Sequence, residues 1–223
     1  MSGFSGSPRV LKGGLVLLDP NTGALLRLIA LQYNPDTLTR SLQIQSVAGE
    51  GQNRSEPLRL KGPPVETIKL DAELDATDQL EFPDQNADAV AVGLLPQLAA
   101  LETIIYPSSQ TILSNHSLAQ QGTLEIAPME SALTLFVWST SRIVPVRLTE
   151  FSITEEAFDT NLNPIRAKVS LGMRVLTIDD FAWTDRGTAL YMVYQQQKEA
   201  LARRAPTVGL ATLGLAGVPS GGA

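Results

Sequence analysis

Cysteine is absent from the 223 residues and histidine occurs once, at His116. Those absences exclude a disulfide framework, a thiolate nucleophile, a Cys-ligated zinc and any cluster of imidazole ligands for a metal. Charged residues make up 18% of the chain, below the roughly 25% of an average soluble domain. Their balance, 17 Lys+Arg against 23 Asp+Glu, gives a net charge of -6 and no basic field to hold nucleic acid or an anionic membrane. No run approaches the roughly 20 apolar residues of a membrane-spanning helix. The start, Met1 to Arg9, lacks the apolar centre of a secretory signal, so the product reads as made and kept in the cytoplasm. The Asn-x-Ser triplets at Asn53 and Asn115 matter only in a secreted chain.

What is present is 43% hydrophobic residues, enough for one sizeable core or a core with an appendage. The first segments read as strands. Leu15 to Leu18 runs into the turn formers Asp19-Pro20-Asn21-Thr22-Gly23 and then into the apolar run Ala24 to Tyr33, which predicts a hairpin. Asn34-Pro35 stops the second strand, and a third is expected over 38–47. Residues 48–64 turn to Gly, Gln, Asn, Ser, Pro and Arg, a long exposed loop.

Val65 to Asp75 alternates with period two. Ile68, Leu70, Ala72 and Leu74 fall on one side, and Lys69, Asp71, Glu73 and Asp75 on the other. The same pattern returns over 166–176, with Ala167, Val169, Leu171, Met173 and Val175 opposed to Arg166, Lys168, Ser170 and Arg174. Strands are also expected over 133–138 and 143–151, the latter at a sheet edge because of Pro145. Before these two, Ala87 to Ile105 has helical spacing with a break near Pro96, followed by Tyr106-Pro107 and a polar connector. Thr184-Asp185 can cap a final helix through Leu190, Val193, Gln197 and Leu201 to about Arg204, which Pro206 ends. The fold class is therefore α+β, mainly β. The expected parts are a flexible start (1–8), a main domain (9–180), a C-terminal helix (181–204) and an uncharged tail with five glycines (205–223). The Val and Leu content of that tail suits it to lie on another protein surface.

Little catalytic chemistry emerges. The chain has no Gly-x-Ser-x-Gly elbow to partner His116, no phosphate loop and no dinucleotide fingerprint, so no cofactor is expected. The acidic group Asp71, Glu73, Asp75 and Asp78 is the one place for a metal- or carboxylate-dependent hydrolase, against a plain solvated strand face. Asp179-Asp180 and Glu155-Glu156 are adjacent pairs whose side chains diverge on a strand. Trp138 and Trp183 read as core or interface anchors. Two strands with hydrated faces of opposite sign remain. They suit the outside of a monomer, including a small ligand-binding barrel with a closed pocket, and equally a sheet lining a water-filled ring.

Five motifs occur in order: Tyr33-Asn34-Pro35, Leu70 to Asp78, the helix leading to Tyr106-Pro107, Phe136-Val137-Trp138, and Asn163-Pro164-Ile165-Arg166-Ala167. Over residues 9–180 this set resembles the tube-type domain of inner baseplate proteins of contractile injection systems, phage-tail-like particles. The resemblance implies a tube-initiator subunit that is not an enzyme: a small β-barrel with one packed helix, six copies of which form a ring between the spike hub and the inner tube. Its implied partners are further copies of itself, the spike hub, inner-tube subunits and baseplate wedge proteins, with no nucleic acid or membrane. Lys69, Asp71, Glu73, Asp75, Arg166, Lys168 and Arg174 become lumen or inter-subunit contacts. Two departures stand out. Ser139 follows the Phe-Val-Trp motif where relatives often have glycine, and the chain after Asp180 is too short for the LysM module many relatives carry.

Overall fold

The computed structural model describes residues 11–46, 60–120, 122 and 131–218. The expected flexible start, most of the expected 48–64 loop with Asn53, and the last five residues of the tail lie outside them. Seven strands form one antiparallel sheet: β1 (Gly14–Leu18), β2 (Leu25–Ala30), β3 (Thr39–Gln43), β4 (Val65–Asp75), β5 (Leu133–Ser139), β6 (Arg142–Phe158) and β7 (Pro164–Val175), in the order β2-β1-β5-β6-β7-β4-β3. Five α-helices accompany it among the described residues: α1 (Thr77–Leu80), α2 (Ala87–Val92), α3 (Leu95–Glu102), α4 (Ser109–Gln120) and α5 (Arg186–Ala202).

The alternation read in β4 and β7 fixes the core. Ile68, Leu70, Ala72 and Leu74 are buried beside Ala167, Val169, Leu171, Met173 and Val175, and Leu94, Leu98 and Leu101 of the α2–α3 region join them. The expected helix is indeed divided, but at Gly93, with Pro96 tolerated in the first turn of α3. Gly93 has φ +58°, and a Cβ there would lie 2.5 Å from the carbonyl oxygen of Pro164, so only glycine lets the bend approach β7.

The sheet is not closed into a barrel, which corrects the expected fold. Counting antiparallel pairs across it, β2 and β3 run in the same direction, so a ladder between them would be parallel. Residues 31–38 connect them, fewer than the dozen or so that a parallel crossover takes. Side chains cinch the sheet instead. Gln32 accepts from the Asp75 amide (3.0 Å) and donates to the Asp75 carbonyl (2.6 Å), while Asn34 accepts from the Gly13 amide (2.9 Å) and donates to the Leu11 carbonyl (2.7 Å). One short strap thus ties the start of β1 to the end of β4.

Three other expectations change. Pro145 is fully buried in β6, which lies between β5 and β7 rather than at an edge. Its carbonyl accepts from Leu176 (2.9 Å), and the β7 ladder begins only at Val146, so the missing N–H falls where that ladder has ended. The polar connector holds α4, which carries His116. The α5 helix buries Gly187, Thr188, Tyr191 and Tyr194, whereas Val193 and Leu201 are exposed. Asp185 stands at its N-cap position, yet its carboxylate accepts from the Ala182 amide (3.0 Å) instead of capping the helix.

Candidate functional site

The two charged rows read from the sequence are brought together. β4 and β7 are neighbours, with Asp71 opposite Ser170, Glu73 opposite Lys168 and Asp75 opposite Arg166, and β6 continues the same polar face with Glu150, Ser152, Thr154 and Glu156. Opposite signs therefore meet side by side. Arg166 lies 3.0 Å from Asp75, Lys168 lies 3.8 Å from Asp71, and Asp71 accepts from the Ser170 hydroxyl at 2.6 Å. Lys69 reaches Glu150 across Gly172, where a Cβ would lie 2.7 Å from the Glu150 Cβ. Burial alone would raise the Asp75 carboxyl. The Thr77 hydroxyl and amide and the Arg166 guanidinium outweigh it and hold the group below its ordinary value.

Glu73, Asp75, Arg166 and Lys168 share a groove of about 520 Å³ with Tyr33 and Glu156 at the strapped end of the sheet. Lys69 and Arg174 stand apart from it, and Arg174 is held by Asp180 at 2.9 Å. Asp71 and Asp75 are each engaged by a cation and a hydroxyl, and among the described residues no three His, Asp or Glu side chains converge to hold a metal ion.

The opposite face of β4 carries a charged cluster that the sequence reading missed. The Glu66 side chain is 3% exposed; it accepts from Arg40 Nε (2.7 Å), the Tyr194 hydroxyl (3.2 Å) and Lys198 Nζ (3.4 Å). Lys198 also sits 4.2 Å from the centre of the Tyr194 ring. Burial first, then the Glu66 charge, pushes the Tyr194 hydroxyl up to about 12. This cluster fastens α5 to β3 and β4. Its signal was in the alternation: Glu66 shares the parity of Ile68, so a carboxylate on the dry side required cations from elsewhere.

The edges are the third feature. β2 exposes Leu25, Leu26 and Leu28, the last at 62%, and beside β3 Leu42 and Ile44 are exposed, the latter at 71%. Neither strand has a second partner among the described residues. Arg27 turns away from this edge to donate to Thr103 Oγ1 (2.6 Å) at the C-terminal end of α3.

A cavity of about 770 Å³ opens where the β1–β2 turn, the end of α3 and the start of α5 meet, its lining including Ile104, Ile105, Leu148 and Phe181 together with Arg147 and Arg186. It is open, unlike the closed pocket of a solitary ligand-binding barrel. The remaining candidates are dispersed. His116 is on the exposed α4, 3.0 Å from Gln120; Trp138 stacks on Phe136 with ring centres 5.9 Å apart; Trp183 is exposed. Asp180 accepts from the Thr177 amide (2.9 Å), and Glu155 and Glu156 lie on the exposed end of β6. No helix among the described residues is long and apolar enough to cross a membrane. No protein-family model matches the chain, and no curated protein matches it.

Proposed function

We propose that this chain is a structural assembly subunit with no chemistry of its own, whose copies join edge to edge into a ring around a channel. The sequence resemblance gives the setting: a ring of six between the spike hub and the inner tube of a contractile injection system, held by baseplate wedges, on which tube growth begins. In that ring each subunit contributes a tube-type sheet whose barrel is completed only by its neighbours. One observation carries the reading. An open sheet of seven antiparallel strands has two edges running the same way, both unpaired among the described residues and both lined with exposed aliphatic side chains.

Rotation about an axis preserves strand direction, so the β3 edge of one copy meets the β2 edge of the next as a parallel pair. The charge-compensated face of β4, β6 and β7 then lines the channel, presenting a hydrated wall with little net charge to passing cargo. The test is a high-resolution map of the assembled particle beside two variants, Leu26→Lys and Leu42→Lys. Rings with a parallel β3–β2 joint in the native particle, and loss of rings in both variants with folding stability within about 0.5 kcal/mol of wild type, are expected. A map with the charged rows on the outer wall, or with both edges covered within one subunit, overturns the proposal.

A further inference from the structure

The chain beyond α5 holds its aliphatic side chains off its own body. Every described residue from 201 to 218 is exposed, and Val208, Leu210, Leu213, Leu215 and Val218 are among them. This stretch is nevertheless shaped. Thr212 donates to Gly209 (3.0 Å), Gly214 to Ala211 (3.0 Å) and Leu215 to Leu210 (3.1 Å), and Gly214 turns the chain at φ +69°. The result is a preformed apolar plug without charge, which loses little freedom on docking.

The matching receptor lies at the other end of the same helix. The cavity lined in part by Ile105 and Phe181 includes Asp185, Arg186 and Gly187 at the start of α5, and its volume falls within the roughly 300–1,000 Å³ of ligand pockets. The 17 residues of α5 separate the two features by about 25 Å. For the plug to enter its own cavity, residues 203–209 would have to stretch to nearly their full reach of about 25 Å. A plug at one end and a receptor at the other make a head-to-tail pair. We infer that residues 208–218 of one copy dock in the α5-start cavity of a second copy, with Leu210 and Leu213 against its apolar lining and Arg147 donating to the plug's carbonyls. This rests on the assembly reading above and adds a second joint between copies to the edge-to-edge joint around the ring.

Because the chain has no cysteine, the contact can be tested by directed cross-linking. Full-length Leu213→Cys and Ile105→Cys are mixed under mild oxidation, with Leu118→Cys on the exposed α4 replacing Ile105→Cys as control. Docking predicts a mixed disulfide dimer at about tenfold or more the control yield, because a docked joint raises effective concentration. The double variant Ile105→Cys/Leu213→Cys should give a ladder of linked copies. A double variant closed within single chains, or a mixed yield no higher than control, overturns the inference. Leu26→Lys separates the two joints: rings that persist in that variant while the cross-link forms remove only the lateral reading, and a parent that forms rings without the cross-link removes only the plug.

Discussion

The two faces of β4 carry the same kinds of side chain under opposite conditions. On the core face, Glu66 is locked among Arg40, Tyr194 and Lys198; on the wet face, Asp71 meets Lys168 in open water and Asp75 meets an exposed Arg166 from a partly enclosed position. The dry cluster holds the fold together, since a carboxylate removed from water is tolerable only while its partners remain. The wet rows contribute little to stability, because solvent already satisfies each group and screens the pairs. Charge on the wet side is therefore a property of the surface, and its purpose is to be sought in what the face meets.

The largest break in this comparison comes from the dry side. Glu66→Ala leaves Arg40 and Lys198 facing each other under α5, and should lower unfolding free energy by about 3 kcal/mol in denaturant titration. Replacing Arg40 with Met, Glu66 with Leu and Lys198 with Met together should cost far less, as no unpaired charge then stays in the cluster. If Glu66→Ala costs no more than Asp71→Ala, the two faces do not differ as argued. Gly172→Ala should come next, at about 2 kcal/mol, because the new Cβ would lie 2.7 Å from the Glu150 Cβ in a strand fixed on both sides.

Tyr194→Phe should cost about 1 kcal/mol through the lost hydrogen bond to Glu66 and should also change the alkaline limb. The hydroxyl ionises near 10 in the unfolded chain and is pushed up to about 12 in the fold, so between those values the folded state binds more protons than the unfolded one. Stability falls as pH rises through that window. Phenylalanine removes this contribution to the slope, and equal slopes for the two proteins would refute the assignment.

The sequence made the strands of β4 and β7 legible because alternation reports one buried and one wet face, and both faces are as read. It did not reveal that the rows are neighbours: strand order depends on long-range pairing, and matched opposite signs at Glu73 and Lys168 were the available hint. Barrel closure was misjudged because it depends on strand direction and connection length around 31–38. Glu66 escaped notice because the alternation was started at Ile68, one period too late. The final helix was legible in its extent, but its buried side was not: Tyr191 and Tyr194 are buried in a helix that packs against β6, and Tyr194 brings a hydroxyl to Glu66.

The smallest effects belong to the wet face. A double-mutant cycle on Asp71→Asn and Lys168→Gln should give a coupling below about 1 kcal/mol, shrinking further with salt. Asp75 adds a pH signature. Its carboxyl is held below its ordinary value, so the stability it confers is present above the unfolded value near 3.8 and is lost as pH falls through the folded one. Asp75→Asn should flatten the acid limb slightly and leave neutral stability almost unchanged. A coupling of about 2 kcal/mol or more between Asp71 and Lys168 in the isolated chain would mean that water is excluded from this face without any partner copy. The face would then be part of the chain's own interior, and the proposed channel wall would no longer follow from its pattern of charges.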